Sequence, residues 1–349
     1  MISEVVAGIL ITVLAIYAIF AGADFGGGLW DLLAGGDDRG RPVRQLIDET
    51  ITPVWEANHV WLIFALVIFW SAFPVAFAAV MTVAALPLWL AALGIVLRGA
   101  GFAFRKEVEG LASERLLGAI FAFSSLLTPF FMGTVVGSVA AGKVSLAGQH
   151  STLEAWTSPT SLLIGALFVA VCGYMAAIFL IGEATSRGDH RNERYFRRRA
   201  TVSGALAGAL SLATLAELHH SNHTLYDGLT GRALALVILG AACGIAVLVL
   251  LVLGRTTALR ALSAIGVAAV VWGWGVGQYP TLLPGTGLTL SNGSAPHATL
   301  VMLVAVFVAA GVLVVPGFLL LFRLHGRQML SPTPAMHRGE HPGGSTPSP

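Results

Sequence analysis

Long apolar runs separated by short polar stretches dominate the chain from end to end. They occupy about 5–34, 54–73, 76–100, 114–141, 160–184, 198–219, 232–254, 258–279 and 297–323. Each is near the roughly 20 residues that a helix needs to cross a bilayer core of about 30 Å. The runs are continuous and lack the two-residue alternation of barrel strands. The pattern predicts an all-α, polytopic membrane protein with about nine transmembrane helices. These form one transmembrane domain over 1–330, and 331–349, rich in Pro, Gly and Ser, reads as a disordered cytoplasmic tail.

The placement of charge gives an orientation. With the N-terminus outside, Arg39, Arg41 and Arg44 follow helix 1, and Arg98, Arg105, Lys106 and Arg115 border the helix 3–4 loop. Arg187, Arg191, Arg194, Arg197, Arg198 and Arg199 lie between helices 5 and 6. Arg255 and Arg260 lie between helices 7 and 8, and Arg323, Arg327 and Arg338 follow helix 9. The other side holds only Lys143 and Arg232, an 18-to-2 split. Positive loops stay in the cytoplasm, so the N-terminus is expected outside and the C-terminus inside.

Composition agrees: 56% of residues are hydrophobic and 11% charged, against about a quarter charged in soluble domains. The N-terminus lacks the basic stretch of a cleavable signal peptide. Cys172 and Cys243 sit inside apolar runs and read as small buried hydrophobes. No Walker loop, Rossmann fingerprint or CxxC pair occurs, and no nucleic-acid partner is expected.

Ionisable groups at bilayer depth are costly and mark candidate function. In helix 1, Asp24, Gly28 and Asp31 share a face. Asp24 lies roughly 28 Å along the helix from Val5, near the inner end of the span. The surrounding glycines allow close helix approach. Asp24 suits a proton-carrying or cofactor-supporting role, or else a packing site near the inner headgroups. Helix 2 opens with Thr52 and Pro53 as a plausible N-cap and N1 pair. Glu56 and His59, and Trp55 and Asn58, are each three apart on neighbouring stripes. Glu56 reads as a proton-uptake carboxylate or as an acid stabilised by the helix dipole. Arg98 either snorkels or pairs with an acid such as Asp24. A lone His59 more often packs than ligates metal or haem. His219 and His223 have the i, i+4 spacing of helical metal sites but fall at a helix end, where histidines are commonly solvated. No two intramembrane helices carry the matched histidines of a bis-histidine haem.

These motifs resemble subunit II of the cytochrome bd-type quinol oxidases. The resemblance rests on Gly22-Ala23-Asp24-Phe25-Gly26-Gly27-Gly28 and on Thr52-Pro53-Val54-Trp55-Glu56-Ala57-Asn58-His59-Val60-Trp61-Leu62. Leu97-Arg98-Gly99-Ala100-Gly101 through Arg105, and Tyr279-Pro280 with Leu283-Pro284, extend it. It is strongest over about the first 105 residues.

The resemblance implies two four-helix bundles plus one peripheral helix in a bacterial inner membrane. It implies pairing with a subunit I that carries haem b and haem d, and leaves room for a small single-helix accessory subunit. The complex would oxidise quinol and reduce dioxygen to water with cytoplasmic protons. Subunit II would be haem-less and bind no metal, supplying a proton path and accommodating a structural quinone or lipid. Carried over residue by residue, Glu56, Asp24, Asn58 and Trp55 stand on the proton path, with Arg98, Arg105 and His59 supporting it. Glu56 stands where better-known members have Asp, and His59 where they often have Gln or Glu. Two other readings remain: a secondary transporter, which would favour a polar site near the midplane, and an anchor for another quinone-linked complex.

Overall fold

The computed structural model describes residues 1–104, 111–146 and 151–326, with the side chains of 37–39, 51–57, 102–103, 111–116, 314–315 and 317–326 outside that description. Each of the nine apolar runs falls on helix. Helix α1 spans Ile2–Leu32. It is buried on every face from Ala21 to Gly28, as expected of a helix that is apolar all round.

Helix α2 spans Asp37–Ala72, so it starts well before the expected Thr52–Pro53 boundary. Its first part is amphipathic. Val43, Leu46 and Ile47, at i, i+3 and i+4, are buried in a cluster with Ile178 and Phe196. Thr52, Pro53 and Glu56 therefore lie inside a helix rather than at its dipolar start.

The expected third helix is two helices, α3 (Pro74–Val83) and α4 (Ala85–Phe104). Two prolines set the boundaries, Pro74 the start of α3 and Pro87 the break between α3 and α4. Pro74 holds Phe73 out of the helical region, and the axis turns by 118° between α2 and α3. Pro87 has no N–H for the Val83 carbonyl, and the α-helix lapses at Ala84.

Helices α5 (Leu111–Ala140), α6 (Thr152–Thr157), α7 (Pro159–Ser186), α8 (His190–Ser221), α9 (His223–Thr230), α10 (Leu234–Val252) and α11 (Leu259–Gln278) follow. A short antiparallel pair, β1 (Thr281–Leu283) and β2 (Leu288–Thr289), precedes α12 (His297–Gly326). Helix α7 is central and packs on α1, α5 and α8. Its Met175–Ile178 stretch is fully buried. The body Met1–Leu300 holds every element through the first turn of α12, and from Val301 the chain continues as that helix. The expected tail, 331–349, lies outside the described residues.

Among the described residues, six helices are long and apolar enough to cross a membrane, or seven if the bent α2–α3 pair is one span. Two shorter apolar stretches, 85–101 and 297–313, accompany them. The chain is thus a polytopic α-helical membrane protein.

Candidate functional site: a buried ion pair between α1 and α4

The site begins with the glycines of α1. A Cβ on Gly26 would lie 1.9 Å from the Cys172 carbonyl oxygen of α7, and one on Gly28 would lie 2.1 Å from Ser125 Oγ of α5. Only glycine lets α1 sit this close to both neighbours. The close approach places Asp24, one turn earlier, against α4 and α2.

Asp24 and Arg98 are both buried. Arg98 Nη2 lies 2.5 Å from Asp24 Oδ1 and also donates to the Asp24 backbone carbonyl at 2.9 Å. Arg98 Nη1 donates to Ser125 Oγ at 2.9 Å, and that hydroxyl donates in turn to the Phe121 carbonyl at 2.6 Å. Asn58 Nδ2 donates to the second carboxylate oxygen, Asp24 Oδ2, at 3.2 Å. The guanidinium carbon also lies 5.0 Å from the Phe25 ring centroid and 4.7 Å from that of Phe121. Four helices, α1, α2, α4 and α5, thus meet on one charge pair.

A buried pair of this kind is tolerable only when its remaining donors and acceptors are occupied. Here most are. Asn58 Oδ1, Arg98 Nε and Thr128 Oγ1 are buried and have no hydrogen-bond partner among the described residues. About two turns further along α1, Asp31 Oδ1 pairs with Arg44 Nε at 3.1 Å, and Trp30 Nε1 donates to the Gly173 carbonyl at 2.8 Å.

The structure therefore brings together Asp24, Asn58 and Arg98 of the expected set. His59 is half-buried beside Asn58 in α2. The side chains of Trp55 and Glu56, and the whole of Arg105, lie outside the described residues. Sequence reading missed Ser125, Thr128, Phe25 and Phe121. The available signal was a pair of serines and a threonine inside the apolar run of α5, since hydroxyls in spans often mark helix contacts.

The histidine group lies at a helix end, as expected, and not on one continuous helix, because α8 ends at Ser221 and α9 starts at His223. The rings pack edge to face, with His219 at 5.2 Å from His223 and 4.6 Å from Tyr226. Among the described residues, no three His, Cys, Asp or Glu side chains gather as a metal site requires. Among the described residues, the side chains in the interior that are of a type able to ligate haem include His59, Met132, Cys172, Met175 and Cys243. Met132 Sδ accepts the Tyr17 hydroxyl at 3.2 Å, and Cys172 is buried at the Gly26 contact.

A buried ion pair at a glycine-cut helix junction, within a bundle of apolar spans, defines a multi-pass membrane protein built around an internal charge pair. The chain belongs to the cytochrome bd terminal oxidase subunit II family, whose model matches residues 2–325. It is 26% identical over 211 residues to cytochrome bd ubiquinol oxidase subunit 2 of Bacillus subtilis, covering 60% of each chain. It is 25% identical over 215 residues to cytochrome bd-I ubiquinol oxidase subunit 2 of Escherichia coli, covering 60% of this chain and 54% of that one. The aligned part thus spans less than two thirds of either relative. The fold matches a chain of the bd oxidase from Geobacillus thermodenitrificans with a TM-score of 0.78 at 23% identity, over 93% of this chain and 98% of that chain.

Proposed function

We propose that this chain is the haem-less subunit II of a bd-type quinol oxidase in a bacterial inner membrane. It has nine spans, its N-terminus outside and its arginine-rich end in the cytoplasm. Subunit I carries haem b and haem d. There quinol gives up electrons, dioxygen accepts them, and protons drawn from the cytoplasm complete the reduction to water. A single-helix accessory subunit and a structural quinone or lipid complete the assembly. Family membership over residues 2–325 is the observation that carries this reading. It also favours the oxidase over a secondary transporter or an anchor for another quinone-linked complex.

In this reading Glu56 takes up protons, Trp55 and Asn58 orient it, and Asp24 lies further along the path. His59, Arg98 and Arg105 support the charge balance along it. Asn58 stands two residues after Glu56 in α2 and holds the Asp24 carboxylate, which supports a polar connection inward from that turn. The buried Asn58 Oδ1, without a hydrogen-bond partner among the described residues, supports it too, since a proton relay needs acceptors that are not already saturated. Arg98 balances the charge of Asp24, so the relay borders an internally neutral site.

The test is to purify the chain from its native membranes with whatever accompanies it and record a dithionite-reduced spectrum. A haem d band and a second multi-pass subunit are expected. A haem-free chain without a partner would overturn the reading.

A further inference from the structure

The strongest concentration of charge outside the Asp24 centre is the start of α8. Arg191, Arg194, Arg197, Arg198 and Arg199 fall within nine residues. The positive end of the helix dipole makes that start still more electropositive. The acids nearby are already committed. Asp189 caps α8, accepting from the backbone of Arg191 and Asn192 and from the Asn192 side chain. Glu193 faces His190 at 3.5 Å and Arg197 at 3.9 Å. Arg199 stacks on the Tyr195 ring at 3.2 Å. Arg194 Nε reaches only the His190 carbonyl, at 3.2 Å, while the exposed Arg198 has no acidic partner among the described residues.

A second chain segment adds to the same place. Arg197 Nη1 lies 3.0 Å from where a Cβ on Gly254 would stand, in the turn between α10 and α11, and the exposed Arg255 follows directly. Beneath these guanidinium groups the surface is apolar, with Val202 64% and Val252 77% exposed.

Between the helices the surface opens. A Cβ on Gly204 would meet Leu248 Cδ2 at 3.3 Å, so α8 and α10 touch at that level. One turn deeper, Gly208 and Gly244 each face open space, with nothing within 4 Å of an added Cβ. Ile245 and Leu212 border that level and are largely exposed. Gly208 lies ten residues beyond Arg198, or about 15 Å along the helix. That is about half of a 30 Å bilayer core, the depth an acyl chain reaches from its headgroup.

We propose that the mouth formed by Arg194, Arg197, Arg198 and Arg255 binds the phosphate headgroup of an anionic phospholipid, with one acyl chain in the slot between α8 and α10. A soluble anion would have no use for the apolar slot. An acidic protein segment would not extend to mid-bilayer depth. A general bias of positive loops toward one face does not require that an arginine of α8 reach the α10–α11 turn, as Arg197 does at Gly254. The proposal needs only that the chain spans a bilayer, so it stands or falls independently of the oxidase reading.

The test uses the full chain, in the complex in which it is isolated, reconstituted into phosphatidylcholine nanodiscs with or without phosphatidylglycerol. Retained lipid is counted by native mass spectrometry, and melting temperature is followed alongside. Phosphatidylglycerol should be retained preferentially and should raise the melting temperature. The triple variant R194Q/R198Q/R255Q should weaken retention by roughly fivefold for each arginine removed. Gly208→Leu, which fills the slot without changing charge, should also weaken it, whereas Arg41→Gln, on a different loop, should not. Equal retention by the triple variant would overturn the proposal, as would no effect of Gly208→Leu. So would equal stabilisation by inorganic phosphate, which would mark a soluble-anion site, or displacement of the lipid by an acidic protein.

Discussion

Arg98 and Asp24 stand 74 residues apart in sequence and 2.5 Å apart in space, both removed from solvent. The contact fastens α4 to α1, and the Asp24–Asn58 and Arg98–Ser125 bonds draw in α2 and α5. Removing either charge leaves the other buried and unpaired, which typically costs about 3–5 kcal/mol. Asp24→Leu and Arg98→Met should each lower the melting temperature and yield of the purified protein sharply. The double variant should recover much of the loss, because two apolar side chains leave no orphan charge. A double variant as unstable as the sum of the singles would show that the pair is not an energetic unit.

Gly26 should be the least replaceable glycine of α1. Alanine there would drive a methyl into the Cys172 carbonyl, forcing α1 and α7 apart at a cost of about 1–3 kcal/mol. Gly118→Ala provides the contrast. Nothing lies within 4 Å of its added Cβ, and helix propensity alone should make that change stabilising by up to about 1 kcal/mol. Parallel thermal melts of the two variants in the same detergent check the ordering.

At the arginine-rich end, Arg187 hydrogen-bonds Glu49 of α2 and also Glu183 of α7, the latter at 2.8 Å. The Arg187 guanidinium, helped by Gln45, holds the Glu49 carboxyl below the ordinary value of 4.5. A carboxyl lowered on folding stabilises the protein fully above its unfolded value, and that contribution is lost as pH falls through the lowered one. Wild type should therefore melt higher than Glu49→Gln above pH 4.5, and the two curves should converge on further acidification. The pair is exposed, so the difference should be small and should shrink with added salt. Curves that stay parallel down the acid limb would show that the tie contributes nothing.

The proton-uptake role proposed for Glu56 makes a prediction separable from stability. Glu56→Gln should lower oxygen consumption by the quinol-fed complex while leaving haem content and subunit association unchanged. Normal turnover in that variant would remove Glu56 from the path. Loss of haem along with turnover would reassign it to assembly.

Much of the architecture was legible in the residue pattern, because lipid imposes its demand locally. A span must be apolar over its own length, so the helical runs appear without knowledge of their neighbours. The same holds for the arginine bias, for the glycines around Asp24, and for Asp24, Asn58 and Arg98 as polar groups out of place in apolar surroundings.

Local pattern misled where local signals were ambiguous. Thr52–Pro53 has the chemistry of a helix start, yet α2 begins at Asp37. The stretch before Thr52 is helical because Val43, Leu46 and Ile47 find a surface on α7 and α8, and an isolated segment of that length would be marginal as helix in water. The His219–His223 spacing has the chemistry of a helical ligand pair, but the helix end expected there is where α8 stops, at Ser221.

The sequence by itself determined which segments are helical and apolar and which charges must be accounted for. Only the tertiary structure decided which charge meets which. Asp24 could have faced headgroups and Arg98 could have snorkelled to water, and both arrangements satisfy the local pattern. Gly26 and Gly28 bring α1 against α7 and α5, and once that contact is made the two groups share one interior. A charge held in a low-dielectric interior is stable only beside its opposite, so the pairing follows from the packing.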